Sequence, residues 1–391
     1  MPLLILAIVT ATQVVAPIYD FEETSPFDGD EVINPYRGLD SVDFASSFRK
    51  TNIHAHQSKE GMPFEDMHDY EDGEFERWYQ ELGYDIALIS DHQYINPRSA
   101  IRVYEHGINF DNFHINCYNP NQVSGFDFPV MLLQRSQMQW MIDYLRNDGA
   151  QLISLNHPDR YALGFSIAKL DKLRGYDLIE MGDTGGGEDS PWDHVLSAGF
   201  CPMLSATDDS HFPMRQFGKM GSRYAMVALG DDLSQENLFS TLKRGASYGV
   251  QMGGTGKRGR QTEPRFKNID MQGDSIIIEM AQEFDKVIFI GQGGVQKKVV
   301  EGRDSVAWYK MQADDTYIRA EIYLPTQQMI WLNPFARTTP NDAEPLHSVN
   351  YTLTALNILL WSLLTLILLY TMICWSFGIK LGGVLKRLTK K

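Results

Sequence analysis

Cysteine is scarce in this chain. Only Cys117, Cys201 and Cys374 occur in 391 residues, and none stands in a C-x-x-C pair. That excludes a disulfide framework and a thiolate zinc site, and a single Cys117–Cys201 bridge has nothing else to support it. Basic residues are also short, with 35 Lys+Arg against 50 Asp+Glu. The acidic excess repels polyanions, so no nucleic-acid partner is expected and an intracellular nuclease is disfavoured. No internal repeat of 20–50 residues is present, and the glycine-rich DTGGGED at 183–189 lacks the G-K-S/T of a phosphate-binding loop.

The longest absence is of charge. Between Glu344 and Lys380 there is no Asp, Glu, Lys or Arg. Leu356 to Phe377 (LNILLWSLLTLILLYTMICWSF) is apolar enough to cross a bilayer core of about 30 Å, and few globular helices are apolar on every face. A transmembrane helix is therefore placed at 351–379. Lys380, Lys386, Arg387, Lys390 and Lys391 follow without an acid, so residues 380–391 read as a cytoplasmic tail and the bulk of the chain as extracytoplasmic, whether periplasmic, extracellular or lumenal. Residues 1–16 are apolar but lack the positive residues that normally precede a signal-peptide core. A cleaved signal and a short retained anchor both fit.

Between these ends, residues 17–45 form an acidic leader broken by Pro and Gly. Residues 46–255 alternate short apolar runs with amphipathic stretches, which predicts an α/β domain with a parallel sheet. Helices are expected over Phe64–Leu82, Ser136–Asn147 and Ser234–Arg244. From 260 to 337 strand-like alternation predicts a small antiparallel β module, separated by the glycine-rich connector 251–264 and followed by a linker at 338–350.

The chemistry clusters at the ends of apolar runs. TNIHAH ends in His54 and His56, YDIALISDH in Asp91 and His92, QLISLNHP in His157, and CPMLSATDDSH in Asp209 and His211. Alternate residues of a strand share a face, so His54 and His56 can converge on one cation. The C-terminal ends of parallel strands are where loops converge and active sites are built. Four such coincidences point to a centre for divalent metal ions, and mixed imidazole and carboxylate ligands suit zinc, manganese or iron alike.

The order H-x-H (His54, His56), S/T-D-H (Ser90–Asp91–His92), His157–Pro158 and D-x-H (Asp209–Ser210–His211) resembles the PHP (polymerase and histidinol phosphatase) family of metal-dependent hydrolases. "RWYQELGYDIALISDH" and "LKRGASYG" resemble family segments, and "YIRAEIY…MIWLNPF" resembles the β module appended in the carbaryl-hydrolase-like subgroup. The resemblance covers about residues 45–337. It implies a distorted (β/α)7 barrel with two or three divalent ions at its mouth. By position one ion would take His54, His56 and Asp209, a second His114 and His157, and a third His92 and His211 with an acid after H-x-H. Gly61 stands where that acid is usual, leaving Glu60 one residue away.

A second departure concerns the family's bridging glutamate, because the matching text reads Gly107–Ile108–Asn109. An amide offers one neutral oxygen and cannot bridge two cations. Three readings follow: fewer or weaker ions, which is the one favoured, a displaced Asp111 or Glu105 in the role, or weakened catalysis. Asp91, Arg160, Glu180 and Asp208 are candidates for orienting the ligands or meeting substrate. The resemblance implies a membrane-anchored hydrolase of a small or phosphorylated substrate, most readily a phosphoesterase. There a metal-activated hydroxide attacks phosphorus and His211, beside Asp209, assists the leaving group. A carboxylester or carbamate hydrolase is a close relative. An inactive barrel serving as a binding or assembly subunit is the alternative from another class.

Overall fold

The computed structural model describes residues 2–39, 44–57, 73–160, 167–181, 190–211, 220–253, 262–338 and 346–377. The chain opens with α1 (Pro2–Thr12), β1 (Tyr19–Phe21), β2 (Val32–Ile33) and β3 (Phe48–Asn52). It continues through α2 (Glu74–Glu81), β4 (Ile86–Ala87), β5 (Val103–His106), β6 (Ile115–Tyr118) and α3 (Gln134–Asn147). Next come β7 (Leu152–Leu155), β8 (Leu178–Glu180), α4 (Pro191–Ser197), β9 (Met203–Ser205), β10 (Arg223–Ala228), α5 (Gln235–Arg244) and β11 (Ser247–Gln251). The β-rich part holds β12 (Phe266–Gln272), β13 (Ser275–Gly291), β14 (Val295–Lys310), β15 (Tyr317–Tyr323), β16 (Met329–Leu332) and β17 (Phe335–Arg337). β18 (His347–Val349) leads into α6 (Tyr351–Ser376).

Local chemistry sets the helix ends. Ser234 caps α5 by accepting from Asn237 N, Lys243 and Arg244 sit in its last turn, and Gly245 closes it at φ 77°. Ser190 caps α4 with Pro191 following, a Ser-Pro start that marks a helix the sequence reading passed over. α2 begins at Glu74, and the earlier part of the helix expected from Phe64 lies outside the described residues.

The fold is mixed α/β, and its sheets are less parallel than expected. β7, β8 and β9 pair in parallel, as do β3 and β4, but β5–β6 and β6–β7 are antiparallel. Two core sheets result. One has five strands in the order β5–β6–β7–β8–β9, and the other has eleven: β2, β3, β4, β10, β11 and β12 to β17, while β1 and β18 pair by themselves. The β module is not separate: β16 pairs with β11, so one sheet runs across the expected boundary. No barrel is closed by continuous ladders among the described residues. The two sheets meet instead at two parallel bridges, Ala55 with Ser210 and His92 with Glu105. α3 lays Met138, Met141, Ile142 and Leu145 into the core of the five-stranded sheet.

All three cysteines are free thiols, which removes the Cys117–Cys201 bridge. α6 is the one helix, among the described residues, long and apolar enough to cross a membrane, with a mean hydropathy of 2.2 over its most apolar 18 residues. α1 runs beside it. Thr365 Oγ1 donates to Thr10 Oγ1 at 2.9 Å and Asn357 Nδ2 to Gln13 O at 2.9 Å. The basic tail and the 183–189 loop lie outside the described residues.

Candidate metal centre

Because β6 runs antiparallel to its neighbours, its start lies at the same end of the sheet as the finishes of β5, β7, β8 and β9. His114, just before β6, therefore meets Glu105 on β5 and His157 beyond β7. β3 and β4 feed His54, His56 and His92 to the same point through the two bridges, where His56 N donates to Ser210 O and Glu105 N to Ser90 O.

The donor atoms are close. His54 Nε2 and His56 Nε2 are 3.0 Å apart, and Asp209 Oδ1 is 3.4 Å from each. Glu105 Oε1 lies 3.3 Å from His54 Nε2, and Oε2 lies 3.3 Å from His56 Nε2. Four ligands on bonds of about 2.1 Å in a tetrahedron have edges of about 3.4 Å, so these separations suit a zinc-sized cation. Three groups of side chains could each hold one ion: His54 with His56 and Asp209, His56 with His92 and His211, and His92 with Glu105 and His114. The resemblance pairs His114 with His157. Here His157 Nε2 stands 3.5 Å from Glu105 Oε1, as does His114 Nδ1, so both converge on the same carboxylate.

Glu105 is the residue that sequence reasoning placed least well. It is fully buried and also takes a bond from Asn156 Nδ2 at 2.7 Å, with His92 Nδ1 2.9 Å from Oε2. Burial alone would raise its pKa, but the surrounding His92, His114 and His54 hold it well below the usual carboxylate range. Asn109, expected as a ligand, bonds within its own loop. Its Oδ1 accepts from Phe113 N, and its Nδ2 donates to Phe113 O and Asp127 Oδ2, so its polar atoms are committed to shaping the loop. Asp111 accepts from Met131 N and does not enter the cluster either. Gly107, at φ 134°, lets the chain turn sharply here, since a Cβ would lie 2.6 Å from His114 Cδ2. Glu60 lies outside the described residues.

The remaining candidates support the ligands. Glu180 faces His54 Nδ1 with Oε1 at 3.1 Å, accepts from Thr207 Oγ1, and takes His157 N at Oε2 at 2.7 Å. A carboxylate behind a ligating imidazole fixes its tautomer and strengthens it as a donor. Asp91 accepts from Gln57 N, holding the turn after His56. Asp208 accepts from Tyr79 Oη, Asn52 Nδ2 and Gly221 N, and burial pushes its carboxyl up to about 7. Arg160 Nη1 donates to Asp209 Oδ2 at 2.8 Å, an ion pair inside the site. Burial lowers the pKa of His54, but Glu105, Glu180 and Asp209 more than offset it and leave it raised. Burial and the neighbouring His92 and His211 keep His56 low. Asp209 and His157 hold φ of 46° and 28°, left-handed values that non-glycine residues adopt at some cost and that gather at functional sites. His114, Arg160 and His211 are the partly exposed members and mark the mouth.

Comparison with family models, curated proteins and solved structures returns no match.

Proposed function

We propose that the chain is a membrane-anchored, metal-dependent hydrolase, acting most readily on phosphoesters, with its catalytic domain outside the cytoplasm. The observation that carries this reading is Glu105, a single buried carboxylate within 3.5 Å of five imidazoles. It can supply the bridging carboxylate that the PHP resemblance expects at Asn109, which supports a fuller site over an emptier one. The run of seven strands β3 to β9, linked between the sheets by two single bridges, supports the distorted barrel that the resemblance implies. The basic residues after α6 support the orientation.

Divalent ions held by these ligands would bring a bound water towards neutral pKa and clamp the oxygens of the reacting group. Glu180 holds His54 in the tautomer that turns Nε2 inward. Arg160 secures Asp209 and places a guanidinium at the mouth, where the substrate's anionic oxygens arrive. His211 Nδ1 lies 3.1 Å from the Asp209 carbonyl, which suits its Nε2 to holding a cation with His56 and His92.

The test is a panel of generic phosphomonoester, phosphodiester and carboxylester substrates, assayed with the purified full chain and Zn, Mn or Fe. Turnover of a phosphoester that His56→Ala removes supports the reading. Turnover confined to the carboxylester moves the assignment to carbonyl chemistry, and no metal-dependent turnover at all overturns it.

A further inference from the structure

The loop between β5 and β6, residues 107–114, carries exposed apolar side chains beside the mouth. Phe110 is 72% and Ile108 54% exposed, and Leu132 on the neighbouring segment is 51% exposed. Outside α1 and α6, large apolar groups this open are few. The segments that carry these three are joined by one continuous run of hydrogen bonds. Phe110 N donates to Pro129 O, and Met131 N to Asp111 Oδ2. Gln13 Nε2 donates to Val130 O, and Gln137 Nε2 to Gln13 Oε1. Gln13 in turn accepts from Asn357 Nδ2 at the start of the apolar stretch of α6. Gln13 thus ties residues 129–132 to the start of the apolar stretch of α6, and the loop sits against them. At its other side Asn112 Nδ2 lies 3.4 Å from Arg160 O, the residue paired with Asp209.

We propose that the Ile108–Phe110 loop and Leu132 dip into the membrane interface and hold the mouth of the metal centre against the bilayer, so that the substrate is a phosphoester borne on a lipid. Apolar side chains at the edge of a membrane helix gain free energy by entering the headgroup and acyl boundary, and the same contact presents the opening between His114, Arg160 and His211 to lipid headgroups. In hydrolysis, water's oxygen would join phosphorus as the bond to the lipid oxygen breaks, and water's protons would pass to the lipid alcohol and the released phosphate. This substrate assignment rests on the hydrolase reading, whereas the membrane contact does not.

Two measurements on the full chain in phosphatidylcholine vesicles separate them. An environment-sensitive dye is placed at Phe110→Cys in a Cys201→Ser background, Cys117 and Cys374 being buried. It should be quenched by brominated lipid, unlike the same dye at Val299→Cys, an exposed position in β14. Equal, weak quenching at both positions overturns the membrane contact. With phosphatidic acid in the vesicles, Ile108→Ser/Phe110→Ser should lower the ratio of phosphatidic acid hydrolysis to 4-nitrophenyl phosphate hydrolysis at least tenfold. An unchanged ratio overturns the lipid assignment. Hydrolysis of neither compound, with the dye still quenched, defeats the hydrolase reading and leaves the docking standing.

Discussion

His54 Nε2 and His56 Nε2 face each other at 3.0 Å in the centre of the site. Two lone pairs do not hold that separation without a proton or a cation between them, and Asp209 Oδ1 lies 3.4 Å from each nitrogen. A cation is the partner that satisfies all three. Adding Mn or Zn to chelator-stripped protein should therefore raise the thermal midpoint, by on the order of 4 kcal/mol of stability at a thousand times the dissociation constant. The effect should shrink as pH falls, because ligands must shed protons to bind. Differential scanning calorimetry checks this, with a smaller shift expected in His54→Ala, which leaves the groups built on His92 intact.

Glu105 and Asn109 divide two tasks that the sequence seemed to give to one position. Glu105→Gln should lower the number of bound metal ions, measured by elemental analysis, since an amide cannot bridge cations. Asn109→Ala should keep the ions and lose about 1–3 kcal/mol of stability through its three loop bonds.

That division also shows what was legible. His54, His56, His92, His157 and Asp209 follow apolar runs that announce themselves as strands, so their convergence could be read from order alone. Glu105 enters the sequence reading only as a displaced alternative beside Asp111, because VYEH in β5 is buried on both faces and shows no polar alternation. Its antiparallel partner INCY was the available signal. The same blindness to pairing direction made the sheet look wholly parallel and the β module look detached, since a ladder such as β11–β16 joins residues 80 apart and leaves no local trace.

The joint between α4 and the large sheet rests on a buried ion pair. Arg319 Nε donates to Asp193 Oδ1 at 2.7 Å, its Nη1 bonds Glu321 Oε1 at 2.9 Å, and Tyr317 Oη donates to Asp193. Arg319→Ala strands two carboxylates in the interior and should cost about 3–5 kcal/mol, read from the denaturant midpoint. Lys243→Ala, at a half-exposed pair with Asp177, should cost under about 1 kcal/mol.

α1 is bound to α6 by polar groups that would otherwise lie unpaired in an apolar setting. A Thr10→Cys/Thr365→Cys protein, with Cys374 replaced by Ser, should form a disulfide on mild oxidation in isolated membranes. Gel mobility after cutting the chain between the helices reports it. A chain lacking α1 gives no linked fragment, and that result would make the N-terminal segment a cleaved signal.

The most direct test of the proposed metal-dependent hydrolase is the rate of 4-nitrophenyl phosphate hydrolysis as Mn²⁺ is returned to the stripped full chain. Activity should rise in step with bound metal and fall at least a thousandfold in His56→Ala. Metal binding without turnover, or turnover indifferent to His56, would contradict the account.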